Sequence, residues 1–348
     1  MARSEAWGRK VLVVRFSALG DVAMAVPVMY DVCGSNPDVE FTMLTRGHAS
    51  SLFLNPPPNL TVKGINTDDY KGLPGLRRLY GELIAEGYDS IIDLHDVIRT
   101  KVLRLFFRLG GRKAFRFHKG RRGKRALTRR NHKVLLPLPT TRSRYCEVFH
   151  RAGFARQENF LSLYGDGKGP EEAFARASVP RQEGERWVAV APFARHTGKI
   201  YPTDLMEQVI EDLACRPGYK LFLLGAGAEE LNILGRWAMR WPTAVNVAGM
   251  RLGIPAELSL LSHCDALISM DSANMHMASL VGCRTISIWG ATHPYCGFMG
   301  WRQSKSDAVQ LDMTCRPCSI FGNKPCFRGD YHCLRGISPR MILSRLDR

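Results

Sequence analysis

The sequence lacks a long apolar run, and no hydrophobic stretch reaches the roughly eighteen residues that a membrane-spanning helix needs. It also lacks a secretory signal pattern, because the polar start from Met1 to Lys10 leads directly into a strand-like segment. A hydrophobic content of 45% argues against disorder. We therefore predict a soluble cytoplasmic protein and exclude the integral membrane class.

Acidic residues are missing from one stretch of the chain. Between Arg99 and Lys133 there are fifteen Lys and Arg and no Asp or Glu, and the whole chain has a formal net charge of +17. The block favours an anionic partner such as nucleic acid, lipid headgroups or a charged saccharide. A solvated basic face is the alternative, although such surfaces usually mix both signs. Four phenylalanines interleave with the cations, which keeps a nucleic-acid-binding protein open as a hypothesis.

The 348 residues suggest two domains. In both halves of the chain, short β-branched apolar runs alternate with segments of helical spacing, which is typical of parallel α/β sheets. Residues 166–185 are rich in glycine, proline and charge and are interpreted as a linker. The pattern predicts two Rossmann-like doubly wound domains, residues 1–165 and 186–348, facing across a cleft. Ligands of this architecture bind at the carboxyl ends of the strands.

The first strand ends in a turn of small residues, Ser17 to Gly20, followed by Asp21 at the start of a helix. The dinucleotide fingerprint G-x-G-x-x-G is absent from this turn. Two roles are open for Asp21. It is either a helix N-cap, which is a common role for aspartate, or a carboxylate that accepts a proton from a substrate hydroxyl.

Three strand ends in the second half carry polar groups that suit an anion or a nucleotide. Arg195 to Lys199 offers cations and a hydroxyl, and Gly225 to Glu230 is a glycine turn that opens a helix. Asp271 to His276 also opens a helix, whose first N–H groups suit a diphosphate. Two of these residues have a simpler alternative. Glu229 would only stabilise the start of its helix through the helix dipole, and His276 would have a structural role.

Ten cysteines fall into two groups. Six are scattered, and we predict that they are buried small hydrophobic residues: Cys33, Cys146, Cys215, Cys264, Cys283 and Cys296. The other four lie within nineteen residues: Cys315, Cys318, Cys326 and Cys333. This cluster fits a structural zinc site, disulfides or free thiols, and a cytosolic setting disfavours the disulfides.

Several motifs, taken together and in order, resemble the lipopolysaccharide heptosyltransferase family, which are inverting glycosyltransferases that use ADP-heptose. The matching segments cover most of the chain: Val13 to Asp21, Asp93 to Arg99, Ala191 to Pro202, the Gly225-Ala226 turn, Asp271 to His276, and Trp289 to Thr292. The resemblance implies the two-Rossmann-domain fold called GT-B, with an acceptor-binding first domain and a donor-binding second domain.

The resemblance also implies a role for each site residue. Asp21 would be the general base, with Ser17, Gly20, Arg99 and Lys101 near the acceptor. The donor site would be formed by ten positions on the second half: Arg195, Thr197, Lys199, Glu229, Met250, Asp271, Ser272, Ala273, Asn274 and His276. No cofactor would be required for catalysis. The acceptor would be an anionic, lipid-linked inner-core saccharide at the inner face of the cytoplasmic membrane, and no nucleic acid partner is expected.

The chain departs from the family pattern at three places. Ala273 stands where the family has glycine, Tyr201 where it has tryptophan, and Arg195-His196 where hydroxyl residues are common. These differences bear on the identity of the donor sugar rather than on the reaction class. A nucleotide-sugar epimerase or hydrolase on a similar scaffold is the alternative enzyme, and it would form product without an acceptor.

Overall fold

The computed structural model describes residues 9–348. Most of the polar start on which the signal-peptide prediction rests, residues 1–8, lies outside the described part. The strands in chain order are β1 (Lys10–Val14), β2 (Glu40–Arg46), β3 (Leu60–Ile65), β4 (Ser90–Asp93), β5 (Lys113–Arg116), β6 (Arg186–Ala191), β7 (Tyr219–Leu223), β8 (Ala244–Asn246), β9 (Ala266–Met270), β10 (Thr285–Ile288) and β11 (Ala308–Val309).

The helices in chain order are α1 (Leu19–Ala23), α2 (Val26–Ser35), α3 (Gly47–Ser50), α4 (Gly72–Ala85), α5 (Ile98–Leu109), α6 (Arg121–Leu127), α7 (Thr141–Arg151), α8 (Thr203–Ala214), α9 (Ala228–Arg240), α10 (Val247–Met250), α11 (Ile254–His263), α12 (Ala273–Leu280), α13 (His332–Arg335) and α14 (Pro339–Leu346). Within residues 9–348, no helix combines the length and the apolar character needed to cross a membrane.

The chain divides into two compact units. The first unit comprises residues 9–120 and 139–163, and the second comprises residues 121–138 and 164–348. Each unit contains one parallel sheet, with strand orders β3-β2-β1-β4-β5 and β11-β10-β9-β6-β7-β8. Both orders reverse direction beside the first strand of the unit, as in Rossmann folds. The predicted fold class of two Rossmann-like doubly wound domains is therefore confirmed.

The core of each unit follows from strands that are buried on both faces. In the first unit, Leu12 and Val14 of β1 pack with Ile91 of β4 and with Leu103 and Phe107 of α5. All five are fully buried. Because a parallel sheet is covered by helices on both faces, its central strands are continuous apolar runs, which is why β1 was predictable.

In the second unit, Val188 and Val190 of β6 pack with Leu221 and Leu223 of β7 and with helix α8. Helix α8 begins at Thr203, directly after Pro202, which holds the N-cap position and provides no side-chain cap. The helix predicted from Asp21 onward is interrupted, because α1 ends at Ala23 and α2 begins at Val26.

Two parts of the predicted domain division differ from the structure. Residues 121–138, which the prediction placed in the first domain, belong to the second compact unit. The predicted linker is also packed within this unit. Its 3₁₀ turn at Glu171–Phe174 buries Phe174 against Trp187 and His263, with ring centroids 6.1 and 5.1 Å away. An apolar side chain in the middle of a polar segment explains why it is not a free tether.

Candidate active site

A buried cation lies behind Asp21 at the carboxyl end of β1. Arg15 is only 5% exposed, and its guanidinium forms an ion pair with the Asp21 carboxylate. The same guanidinium donates to the carbonyl oxygen of Leu94 at 2.6 Å. It also lies over the rings of Phe117 and Tyr145, at 5.9 and 6.0 Å. These contacts fix the cation, and through it they fix the carboxylate.

Asp21 lies in the first turn of α1, three residues after the N-cap residue Ala18. Its Oδ2 atom accepts a hydrogen bond from the backbone N–H of Ala18 at 3.3 Å. The side chain is 26% exposed. Asp21 is therefore a first-turn residue and not the N-cap that the alternative proposed. Both named contacts use Oδ2, so Oδ1 is the oxygen best placed for a further partner.

His95 lies beside this pair, although the sequence interpretation gave it no role. Its Nε2 atom is 3.4 Å from the Oγ atom of Ser17. Its Nδ1 atom is buried and has no hydrogen-bond partner within residues 9–348. Burial, assisted by the Arg15 cation, lowers the pKa of His95 to about 3, so the ring is neutral near pH 7. The position of His95 could have indicated a role, because it is a polar residue that closely follows β4, the neighbour of β1 in the sheet.

The turn that carries His95 is held by a buried carboxylate. Oδ1 of Asp93 accepts from the backbone N–H groups of His95 and Asp96, both at 2.8 Å. Arg104 of α5 pairs with Asp93 at 2.9 Å and with Asp96 at 3.1 Å. Burial raises the pKa of Asp93, whereas these contacts act in the opposite direction. The network makes the turn after β4 a fixed platform.

The other predicted acceptor residues lie at the same edge of the first sheet. Ser17 and Gly20 follow β1, and Arg99 and Lys101 belong to the first turn of α5 after β4. Because β1 and β4 are neighbours, these segments share one end of the sheet. Lys101 is exposed, whereas Arg99, Ser17 and Gly20 are partly buried. The structure brings Ser17 into contact with His95, and it places the two cations one turn further on.

The second unit brings two predicted donor residues into direct contact. Lys199 lies in a 3₁₀ turn, Thr197–Lys199, after β6, and Asp271 follows β9. The Lys199 ammonium donates to the Asp271 carbonyl oxygen at 2.8 Å and pairs with its carboxylate at 2.9 Å. An ammonium has three donors, so these two contacts leave one for an anion.

Helix α12 begins directly after this pair. Ser272 is its N-cap, and Ala273 and Asn274 are its first residues; all three are partly exposed. The first N–H groups of a helix have no acceptor within the helix, and the helix dipole adds partial positive charge. His276 is 5% exposed and therefore belongs to the buried face of α12. The start of α12 and Lys199 therefore place free N–H groups and a cation side by side at this end of the second sheet.

The remaining donor candidates lie along the same edge of the second sheet. Arg195 and Thr197 are exposed after β6, and Met250 is the last residue of α10 after β8. Glu229 is exposed in the first turn of α9. The neighbouring Glu230 folds back and accepts from the Ala226 N–H group at 2.7 Å, and its pKa is raised by burial. The strand order β9-β6-β7-β8 spreads these residues from Asp271 towards Met250.

The basic stretch is divided between the two compact units. Its first part belongs to the first unit and its last part, from Arg121, to the second. In the second unit, Lys133 donates to three backbone carbonyls, and Lys124 lies over the rings of Phe298 and Phe321 at 5.3 and 5.5 Å. Some of its cations are therefore structural contacts.

The four clustered cysteines line one small cavity together with Arg316. Within residues 9–348, no group of three or more His, Cys, Asp or Glu is placed to hold a metal ion, so the zinc prediction is not supported. The buried Arg316 guanidinium places a positive charge at the same cavity, which disfavours a further cation there. Burial raises the pKa of the Cys318 thiol and raises that of Cys333 to about 11.

All ten cysteines are free thiols. The prediction that the scattered six are buried holds for four of them: Cys33, Cys264, Cys283 and Cys296. Cys146 is only partly buried, and Cys215 is exposed at the end of α8, so the prediction is wrong for that residue.

Tyr201, at the family's tryptophan position, is fully buried and donates to the Ile337 carbonyl oxygen at 2.7 Å.

Two Rossmann-like domains, each built on one parallel sheet, are the architecture of GT-B glycosyltransferases. The chain belongs to glycosyltransferase family 9 (heptosyltransferase), whose family model matches residues 76–324. It is 21% identical over 339 residues to lipooligosaccharide heptosyltransferase 2 of Campylobacter jejuni subsp. jejuni serotype O:2, covering 94% of each chain.

Two solved structures are similar over nearly the whole length. The crystal structure of the glycosyl transferase family 9 from Veillonella parvula is 16% identical with a TM-score of 0.75, covering 100% of this chain and 98% of the other. The structure of E. coli heptosyltransferase WaaC with ADP is 15% identical with a TM-score of 0.62, covering 97% and 99%. These likenesses support the fold.

Proposed function

We propose that this glycosyltransferase moves a heptose, with inversion, from ADP-heptose to an inner-core saccharide of lipopolysaccharide. The observation that carries the proposal is the contact of Lys199 with Asp271 at the start of α12, because it builds a diphosphate site at the strand ends. ADP is bound by the related E. coli protein, and the Campylobacter relative is named for lipooligosaccharide. The first unit would bind the acceptor and the second unit the donor.

Asp21 is the proposed general base. Its carboxylate accepts the proton of an acceptor hydroxyl while the hydroxyl oxygen bonds to the anomeric carbon of the donor sugar. The bond between that carbon and the diphosphate oxygen breaks from the opposite face, and ADP leaves with its electrons. Arg15 keeps the carboxylate in position through Oδ2, and the neutral ring of His95 lies beside Ser17 to contact the same hydroxyl.

The leaving diphosphate gains negative charge as the bond breaks. We assign its stabilisation to Lys199 and to the N–H groups of Ser272, Ala273 and Asn274 at the start of α12, because preorganised donors stabilise developing charge. Thr197 and Arg195 add a hydroxyl and a second cation from the exposed turn after β6. His276 supports the helix from its buried face.

The nucleoside end of the donor would extend along the sheet edge. Glu229 lies at the start of α9, where a carboxylate can accept hydrogen bonds from ribose hydroxyls. Met250 lies at the end of α10, after the next strand, and offers a polarisable apolar contact for adenine. The separation of Glu229 and Met250 from Lys199 follows the strand order, with the diphosphate nearest β9 and the base nearest β8.

The acceptor and the membrane meet at α5 in this proposal. Ile98, Leu105 and Leu109 are 81%, 52% and 76% exposed. Their spacing places them on one side of the helix, with Lys101 and Arg108 beside them. An exposed apolar stripe flanked by cations is suited to the interface of an anionic membrane. We therefore propose that α5 docks on the inner face of the cytoplasmic membrane and that Arg99 and Lys101 contact acceptor anions.

The docking proposal is tested by co-sedimentation with phosphatidylglycerol-containing vesicles. We expect the wild-type protein to bind these vesicles and L105S/L109S to lose most of this binding, whereas neutral phosphatidylcholine vesicles bind neither. The matched control is the exposed Met239→Ser, on α9 of the second unit. Equal vesicle binding by the wild type and the double variant would contradict the role of α5.

The donor proposal is tested by melting shifts with ADP, UDP and GDP, followed by transfer from ADP-heptose. We expect ADP to raise the melting temperature most. Lys199→Ala should weaken ADP binding by roughly 10- to 100-fold, since a hydrogen bond to a charged group contributes about 1.5–3 kcal/mol. Lys305→Ala, an exposed lysine in the same unit, is the control. A larger shift with UDP or GDP, or unchanged ADP binding in Lys199→Ala, would contradict the proposal.

A further inference from the structure

The cysteine-rich segment, residues 315–333, lies directly against the turn that carries Lys199. The carbonyl oxygen of Gly322 accepts from the Gly198 N–H group at 3.2 Å. A Cβ atom added to Gly322 would lie 2.6 Å from the Cγ atom of Lys199. A Cβ atom added to Gly198 would lie 2.7 Å from the Gly322 oxygen. The absence of a side chain at both glycines therefore allows the two segments to approach this closely.

A third backbone segment, residues 289–292, joins the two. The Ala291 N–H group donates to the Gly198 carbonyl oxygen at 2.8 Å. The Ala291 carbonyl oxygen accepts from the N–H groups of Cys318 and Ser319, at 3.1 and 3.2 Å. The donor turn is thus hydrogen-bonded to the cysteine-rich segment both directly and through Ala291.

Arg316 fixes residues 289–292 from beneath. It is 3% exposed, and its guanidinium donates to the carbonyl oxygens of Trp289, Gly290 and Thr292, at 2.9, 2.5 and 2.9 Å. It also donates to the carbonyl oxygen of Leu311. One planar group with five N–H donors therefore sets the path of the loop that holds the donor turn.

The segment is also held from its other side. The Lys133 ammonium donates to the carbonyl oxygens of Thr314, Cys315 and Pro317, at 3.2, 2.7 and 3.1 Å. Phe321, next to Gly322, lies under the Lys124 ammonium at 5.5 Å. Residues 121–138 thus fasten the cysteine-rich segment within the second unit.

We propose that the cysteine-rich segment is a positioning element of the donor site and that Gly322 is its point of contact. The segment holds the Thr197–Lys199 turn so that the Lys199 ammonium meets both Asp271 and the donor diphosphate. This inference rests on the proposed donor role of Lys199. The four cysteines of the segment line the small cavity together with Arg316.

The test compares Gly322→Ala with Gly329→Ala by calorimetric titration with ADP. Both glycines have a positive φ, +73° and +80°, so an alanine at either pays the same backbone cost. Only Gly322 has Lys199 against it, since nothing lies within 4 Å of an added Cβ at Gly329. We expect ADP binding to weaken by about tenfold in G322A, equivalent to about 1.4 kcal/mol, and by less than twofold in G329A. Equal ADP affinity in G322A and the wild type would overturn the inference, as would an equal loss in G329A.

A second variant covers the case in which G322A fails to fold. Lys133→Met removes the ammonium that fastens the segment and leaves the donor turn untouched. We expect it to raise the KM for ADP-heptose by about threefold, the low end of a net hydrogen-bond contribution, with kcat and the acceptor KM unchanged. An unchanged donor KM would overturn the inference. If K199A weakens ADP binding but G322A does not, only the positioning role of Gly322 is overturned. If the wild-type protein itself fails to bind ADP, the donor proposal is overturned.

Discussion

The two sheet-edge sites are opposite in charge arrangement. In the first unit, the carboxylate of Asp21 is presented to solvent, with the buried cation of Arg15 behind it. In the second unit, the ammonium of Lys199 is presented, with the buried carboxylate of Asp271 behind it. The presented side chains are 26% and 15% exposed, whereas the partners behind them are 6% and 3% exposed. Each unit thus uses an ion pair to aim one charged group.

This difference separates two tasks of a transferase. A carboxylate at the strand ends suits proton removal from a neutral hydroxyl, and an ammonium beside a helix start suits a diphosphate. Burying the partner of each pair makes its removal costly, because the remaining charge is left without compensation in a low-dielectric setting. The presented groups are therefore the informative positions to change, since each one touches a different substrate in the proposal.

The largest expected effect comes from removing the proposed base. Asp21→Asn keeps the shape of the side chain but cannot accept a proton at neutral pH. We expect the transfer rate to fall by about 10²- to 10⁴-fold, the usual contribution of a general base. ADP affinity should stay within twofold, which is the opposite of the expectation for Lys199→Ala. The measurement pairs a transfer assay with ADP titration for both variants.

The control for this comparison is Asp38→Asn, an exposed carboxylate of the first unit. It should transfer heptose at the wild-type rate. If Asp21→Asn also transfers within a few fold of the wild type, then the carboxylate serves only the first turn of α1, through its contact with the Ala18 N–H group. A loss of ADP binding in Asp21→Asn would instead contradict the proposal that one unit removes the proton and the other binds ADP.

Part of the second-unit site was predictable from the sequence, because its residues follow apolar strands. Asp271 comes directly after β9, and Lys199 lies in the 3₁₀ turn between β6 and α8. Their mutual contact followed from the adjacency of β6 and β9, which strand order alone determines. The resemblance to the family led to their proposed roles, and the structure shows that the two side chains are in contact.

The supporting residues were harder to predict, because they depend on contacts between distant segments. Arg15 and Leu94 are separated by 79 residues, and Lys133 and Cys315 by 182. A basic stretch without acids indicated an anionic partner, yet Lys133 uses backbone carbonyls as its acceptors. Charge counting cannot distinguish a cation that faces solvent from one that fastens a loop, since both leave the same pattern in the sequence.

The smallest expected effect concerns His95, and it is a dependence of stability on pH. Burial lowers the pKa of His95 to about 3 in the folded protein, whereas an unfolded histidine titrates near 6.5. Between these values the unfolded chain binds more protons than the folded one, so stability falls as the pH falls below about 6.5.

His95→Gln removes this titration while keeping a polar side chain next to Ser17. The variant should therefore lose less melting temperature than the wild type between pH 7 and pH 5, by about 2–4 °C if the difference is about 1 kcal/mol. His48→Gln, at an exposed histidine of the same unit, should follow the wild-type curve. Parallel curves for His95→Gln and the wild type would contradict a buried, neutral His95 ring in the folded protein.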